Sequence, residues 1–199
     1  MLHRVFFVAL VIQFFGCLRK SNLLPPSIRM FSPFRHLTRG DIHFVDGAIV
    51  LTLPWTKTLQ HKNNIETIAI ADVPGVPFNP VQIYRDFVHL FPLSPKMPAF
   101  AVASAQKLIM LTQAEYVEIL KFYLQKIGLP PDAFSSHSVR RGSATTMMHS
   151  GVSQQAIKRQ GTWKSDCYQR YITVNHADKV QTTQKMVSYI NSIFGDTHK

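Results

Sequence analysis

The residues best suited to chemistry sit in Ser136-His137-Ser138-Val139-Arg140-Arg141-Gly142-Ser143-Ala144-Thr145. On a helix His137 and Arg140 are three apart and share a face, with Arg141 close beside them. Arginine offers planar paired donors to phosphate oxygens, and histidine offers a movable proton near neutral pH. Together they suit a phosphodiester, although a solvated basic helix face has the same composition. A second stretch, Gly161-Thr162-Trp163-Lys164-Ser165-Asp166-Cys167-Tyr168-Gln169-Arg170-Tyr171-Ile172, holds an indole N–H donor and two tyrosines three apart. A tyrosine can attack phosphorus and carry a phosphate ester as a covalent intermediate. Arg19 follows an apolar run, and Lys57 follows a strand-like run in Leu53-Pro54-Trp55-Thr56-Lys57-Thr58. Taken alone, a helix-end cation and a solvated loop lysine account for these two better than a functional role does.

These residues need a scaffold, and the sequence predicts a mostly helical one with one small sheet. An apolar helix is expected over about 4–17, from Arg4 through Val5-Phe6-Phe7-Val8-Ala9-Leu10-Val11-Ile12-Gln13-Phe14-Phe15. The run imitates a signal peptide but is short for a membrane span of about 20 residues. A helix buried in a globular domain is the expectation. Residues 19–24 read as a turn into Pro25-Pro26, which stops regular structure. Asp41–Val45 and Ala48–Leu53 flank Asp46-Gly47, a strong hairpin turn, and Glu66–Ile70 reads as a third strand. Asn79 caps a helix with Pro80 at its first position. Thr112-x-x-Glu115 is a capping box opening the next helix, with Tyr116, Ile119, Leu120, Tyr123, Leu124 and Ile127 as its apolar stripe. Further helices are expected over about 136–150, 153–160, 165–172 and 177–194. Gly142, Ser143 and Ala144 are small enough to let their helix approach another closely.

Composition bounds the partners. The 199 residues carry 22 Lys and Arg against 11 Asp and Glu, a formal charge of +11, and a pI near 9.9. Such a field favours polyanions, whether nucleic acid, an anionic membrane or a phosphorylated ligand. Hydrophobic residues make up 46% of the chain, enough for a packed core. The two cysteines, Cys17 and Cys167, form neither a disulfide framework nor a zinc-finger spacing and read as reduced thiols. No histidine belongs to a His-Glu-x-x-His set or a similar metal motif.

In order and spacing, the set Arg19, Lys57, His137-x-x-Arg140, Trp163 and Tyr171 resembles the catalytic domain of the tyrosine recombinases, the phage integrase-like family. The nearest flavour is that of eukaryotic mobile elements, the Crypton and DIRS-type integrases. The likeness covers about residues 4–194 and is most specific over 134–172. It implies an α+β, mostly helical DNA breaking-rejoining fold with a small three-stranded antiparallel sheet. It also implies site-specific DNA recombination or integration through a 3′-phosphotyrosyl intermediate. Arg19 and Arg140 would hold the phosphate oxygens, His137 would move a proton, Trp163 would donate its N–H and pack the site, Lys57 would be the general acid, and Tyr171 the nucleophile. Tyr168 is the rival nucleophile, because Trp163 and Tyr171 stand eight apart, one fewer than in many phage members. Asn22 stands where the family often has an acidic residue.

The partner implied is double-stranded DNA, bound as a homo-oligomer, a tetramer on DNA. No cofactor, metal or membrane is implied. The location implied is intracellular, nuclear in a eukaryote. The expectation is one catalytic domain over 1–199, without the family's N-terminal core-binding domain. A catalytically inactive DNA-binding remnant of a mobile-element recombinase is the alternative. Arg29, Arg35, Arg39, Lys62, Lys158, Arg159 and Lys164 are candidate phosphate contacts. The stripe Val180, Met186, Val187, Ile190 and Ile193 can pack on its own domain or, as in the family, on a neighbouring protomer.

Overall fold

The apolar run that opens the chain folds as α1 (Leu2–Phe15) in the computed structural model, which describes residues 1–54, 66–105, 107–163 and 176–195. A helix apolar on most sides must be surrounded, and Val5, Phe6, Val8, Ala9, Val11, Ile12 and Phe15 are all buried. Each large side chain so removed from water stabilises the fold by about 1.5–3 kcal/mol. Among the described residues no helix is long and apolar enough to cross a membrane. The helix ends two residues before the expected Cys17, because Gly16 and Cys17 turn the chain away.

Around α1 pack α3 (Pro80–Leu90), α4 (Gln113–Lys126), α5 (Ser136–His149) and α7 (His176–Gly195). The expected turn after Arg19 holds a single helical turn, α2 (Lys20–Leu23), and a short helix α6 (Gln154–Gln160) follows α5. The caps read from the sequence are in place. The Asn79 side chain accepts from the amides of Val81 and Gln82, and Thr112 and Glu115 form the reciprocal box of α4.

The sheet has the order β1 (Ile42–Val45), β2 (Ala48–Leu53), β3 (Glu66–Ala71), antiparallel throughout. Leu51 of the central strand lies opposite both Ile42 and Ile68. Helix α7 covers this sheet, with the Thr183 hydroxyl accepting from the Ala71 amide at 2.8 Å. Met186, Val187 and Ile190 of α7 are buried in this domain, whereas Ile193 is exposed. The stripe therefore packs largely on its own domain.

Two features depart from the sequence reading. A second hairpin, β4 (Ala101–Ser104) with β5 (Lys107–Met110), stands where no element was expected. Tyr123 and Ile127, read as the buried face of α4, are exposed. His3 and Phe6 of α1 still meet the Tyr123 ring, but Ile127, one turn on, lies beyond them.

Candidate active site

Two helix ends converge on one guanidinium. Arg140, only 4% exposed on α5, reaches past the end of α1 and the end of α6. Its Nη1 donates to the Cys17 carbonyl at 3.0 Å, and its Nη2 donates to the Gly161 carbonyl. Its Cζ stands 4.5 Å over the centre of the Trp163 ring, a cation–π stack. Trp163 therefore contributes an aromatic face to the site. Burial is the main force on Arg140, pushing its pKa down to about 10; nearby Arg19 adds to that, while Cys17 and Glu66 oppose it. At neutral pH the group remains a cation.

The local sequence explains how the carbonyls come to be aimed. Helix α1 ends in a six-residue cap: the Leu18 amide donates back to the Gln13 carbonyl at 2.9 Å and Cys17 to Phe14 at 3.1 Å. Helix α6 ends the same way, with Trp163 donating to Lys158 and Thr162 to Arg159, both at 3.0 Å. Such caps need a left-handed residue, most often glycine. Helices α4 and α5 have it, as Gly128 and Gly151, both with φ +77°. The two caps that serve Arg140 have Cys17 (φ +50°) and Thr162 (φ +54°) instead. A side chain in this conformation costs about 1–2 kcal/mol, and strain of this kind collects at functional sites. Cys17 has a packing reason: its buried thiol lies 3.8 Å from the Arg140 carbonyl, and burial pushes its pKa up. Thr162 is half-buried. Thr162→Gly is therefore expected to raise stability by about 1 kcal/mol. The measure is the shift in urea midpoint at constant slope; an unchanged or lower midpoint would contradict the strain assignment.

Arg19 is half-buried one residue after this cap. Its amide donates to Asn22 Oδ1 at 3.2 Å, so the buried Asn22 holds the turn that carries it. Among the described residues the ion pairs are Arg85–Asp72 and Lys121–Asp132, and neither includes Arg19 or Arg140. His137 lies one turn before Arg140 but is exposed, on the first turn of α5, where its amide donates to Ser135 Oγ at 3.2 Å. The structure thus brings Arg19, Arg140 and Trp163 together and leaves His137 at the rim of the same helix. Lys57, in the connection from β2 to β3, lies outside the described residues. So do Tyr168 and Tyr171, between Trp163 and α7, together with Lys62, Lys164, Cys167 and the expected helix over 165–172.

Sequence reasoning missed one organiser, Gln13. A polar residue within the apolar run of α1, it is fully buried. Its Nε2 donates to the Leu18 carbonyl at 3.1 Å and the Ser136 carbonyl at 3.3 Å, and its Oε1 accepts from the Tyr116 hydroxyl. It ties α4 to the residues just before Arg19 and His137. Its polarity inside an apolar run was the available signal. The close approach of α5 to α1 falls at Ser143, whose hydroxyl donates to the Phe14 carbonyl at 2.6 Å; at Gly142 a side chain would meet only ordinary contact. Of the candidate phosphate contacts, Arg29 and Arg35 are exposed, and Lys158 and Arg159 are half-buried. Arg39 is instead a core residue: its Nη2 donates to the Ala101 carbonyl at 2.9 Å and it lies 4.4 Å over the Phe87 ring, beyond reach of a phosphate.

No family model and no curated protein matches the chain. Among solved structures it is similar to a tryptophan-to-phenylalanine mutant of Flpe in complex with a DNA Holliday junction, with a TM-score of 0.56 and 14% identity. The match covers 92% of this chain and 45% of that one, so this chain spans less than half the length of its neighbour. At this identity the likeness is one of fold. Mostly helical with a small three-stranded antiparallel sheet, the chain has the integrase-like fold of the tyrosine recombinases.

Proposed function

We propose that the chain is a single DNA breaking-rejoining domain of tyrosine-recombinase type, of the Crypton or DIRS-like mobile-element branch. It would act on double-stranded DNA as an oligomer in the nucleus of a eukaryote. One observation carries the reading. In this fold, Arg140 is locked by two helix-end carbonyls and an indole face, beside Arg19, with no carboxylate in ion-pair contact among the described residues. A cationic pair so placed suits a dianionic phosphorane. Tyr171 attacks the scissile phosphorus, and its hydroxyl proton passes to His137. The bond from phosphorus to the 5′-oxygen breaks, and Lys57 supplies the proton to that leaving oxygen. Arg19 and Arg140 stabilise the charge that builds on the non-bridging oxygens. Rejoining is the reverse, with a new 5′-hydroxyl as the attacking group, so no energy source is consumed.

The test uses duplexes nicked beside the cleavage point, which trap the intermediate. A denaturation-resistant protein–DNA adduct is expected, absent in Tyr171→Phe and retained in Tyr168→Phe. The opposite pattern would move the nucleophile to Tyr168. The second reading, an inactive DNA-binding remnant, draws on the carbonyls that already occupy a hydrogen of each terminal nitrogen of Arg140. Binding without any adduct would support it.

A further inference from the structure

Between α2 and β1 the chain makes an excursion that the proposed site does not use. Both stems are pinned. The Leu24 carbonyl accepts from Gln113 Nε2 at 2.8 Å and the Pro25 carbonyl from the Gln113 amide at 3.0 Å. On the return, the Leu37 carbonyl accepts from the Ala99 amide at 3.0 Å and Thr38 pairs with Pro98. Between the stems three large apolar side chains face solvent: Ile28 at 58%, Met30 at 60% and Phe34 at 85%, the last being the most exposed large hydrophobic among the described residues. Arg29 and Arg35, also exposed, alternate with them. No acidic residue occurs between Arg19 and Asp41.

The tip is a built turn. The amides of Arg35 and His36 both donate to the Ser32 carbonyl, at 3.0 and 2.9 Å. The Ser32 amide donates to His36 Nδ1 at 3.0 Å, and the His36 ring stacks on Phe31 at 5.9 Å. Pro33 fixes one of the tip's own torsions. Phe34 is thus presented to solvent by a preformed turn. Apolar residues scattered singly on a surface need no explanation, but a cluster does. This one is interleaved with guanidinium groups and has no carboxylate to oppose a polyanion. Apolar wedges inserted at base steps, flanked by cations on phosphate, are one way proteins deform duplex DNA.

We infer that residues 28–35 form a DNA wedge: Phe34 enters a base step or stacks on an unstacked base, while Arg29 and Arg35 neutralise the adjoining phosphates. The inference rests on the DNA reading above. It is tested with the full chain and a 30-base-pair mixed-sequence duplex carrying 2-aminopurine at its centre. Wild-type protein should bind in a strongly salt-dependent manner and raise the 2-aminopurine fluorescence. Phe34→Ala, an exposed change that leaves the thermal midpoint unaltered, should abolish that rise and weaken binding about tenfold. The Arg29→Gln, Arg35→Gln pair should lower the slope of log K against log salt by about two. Phe34→Ala that binds and unstacks like the wild type would overturn the wedge alone. So would Phe34-dependent capture by phosphatidylserine vesicles with duplex binding indifferent to Phe34, which would mark a membrane surface. Duplex binding by the wild type that is absent or flat with salt would overturn the DNA reading itself.

Discussion

Replacing Gly161 by alanine is expected to slow the proposed strand cleavage about a hundredfold while DNA affinity is held. A Cβ at this position would fall on the six-membered edge of the Trp163 indole, at Cζ3, Cε3 and Cη2. These are ring atoms of a packed side chain, so the indole must move. The indole is also the face on which the Arg140 guanidinium rests, 4.5 Å from the ring centre. The same glycine supplies the carbonyl that holds Arg140 Nη2. One methyl group therefore disturbs two of the three contacts that fix Arg140. With its pKa at about 10 the side chain stays charged at neutral pH, so what is lost is its position. A misplacement of about 1 Å costs roughly a hundredfold in rate, and losing one donor to a transition-state oxygen costs about as much. Affinity for duplex DNA, in the proposed reading spread over several phosphate contacts, should change little. Single-turnover adduct formation reads the first quantity and fluorescence anisotropy the second. Near-UV circular dichroism of the protein alone should also change, because it senses the indole's surroundings. Cleavage by Gly161→Ala at the wild-type rate would remove the indole from the site.

The sequence disclosed the elements of this site better than its wiring. The hairpin at Asp46-Gly47, the Asn79 cap and the Thr112 box carry local chemistry that determines local conformation, and each stands where it was read. The strands β4 and β5 were missed because four residues each, joined through Ala105-Gln106, give neither a long alternation nor a strong turn pair. The spacing of His137 and Arg140 was legible, but their unequal burial was not. Helix α5 turns Ser136, Arg140, Ser143 and Met147 inward. An inward stripe made of two serines, an arginine and a methionine is invisible to a search for apolar periodicity, and it leaves His137 just outside. Nor could the sequence show that Cys17 and Thr162 adopt left-handed conformations, since the usual signal there is glycine or asparagine. The partners of Arg140 lie in segments more than a hundred and about twenty residues away, and only the packed fold brings them together.

Gln13→Leu is expected to destabilise the fold by about 3 kcal/mol, a large share of the roughly 5–15 kcal/mol typical of a domain. Leucine fits the space approximately, so the cost comes from groups left behind. The Tyr116 hydroxyl, which burial holds protonated, loses its acceptor. The Leu18 and Ser136 carbonyls lose a shared donor. Each buried polar group stripped of its partner costs about 1–3 kcal/mol, and the gain from burying a leucine offsets only part of the sum. Tyr116→Phe, which strands only the amide oxygen, should cost less. With both partners replaced, neither the hydroxyl nor the amide oxygen remains to be stranded, so the double variant should be more stable than the sum of the single effects predicts. Urea unfolding of the four proteins measures this coupling. A Gln13→Leu midpoint near that of the wild type, or strict additivity, would contradict the hydrogen-bonded junction. The effect should reach the chemistry as well. Leu18 and Ser136 immediately precede Arg19 and His137, so the variant loosens the supports of both at once. Under conditions where it remains folded, the proposed cleavage should fall more steeply than DNA affinity. A variant that lost only stability would show that Gln13 holds the core together without positioning the site.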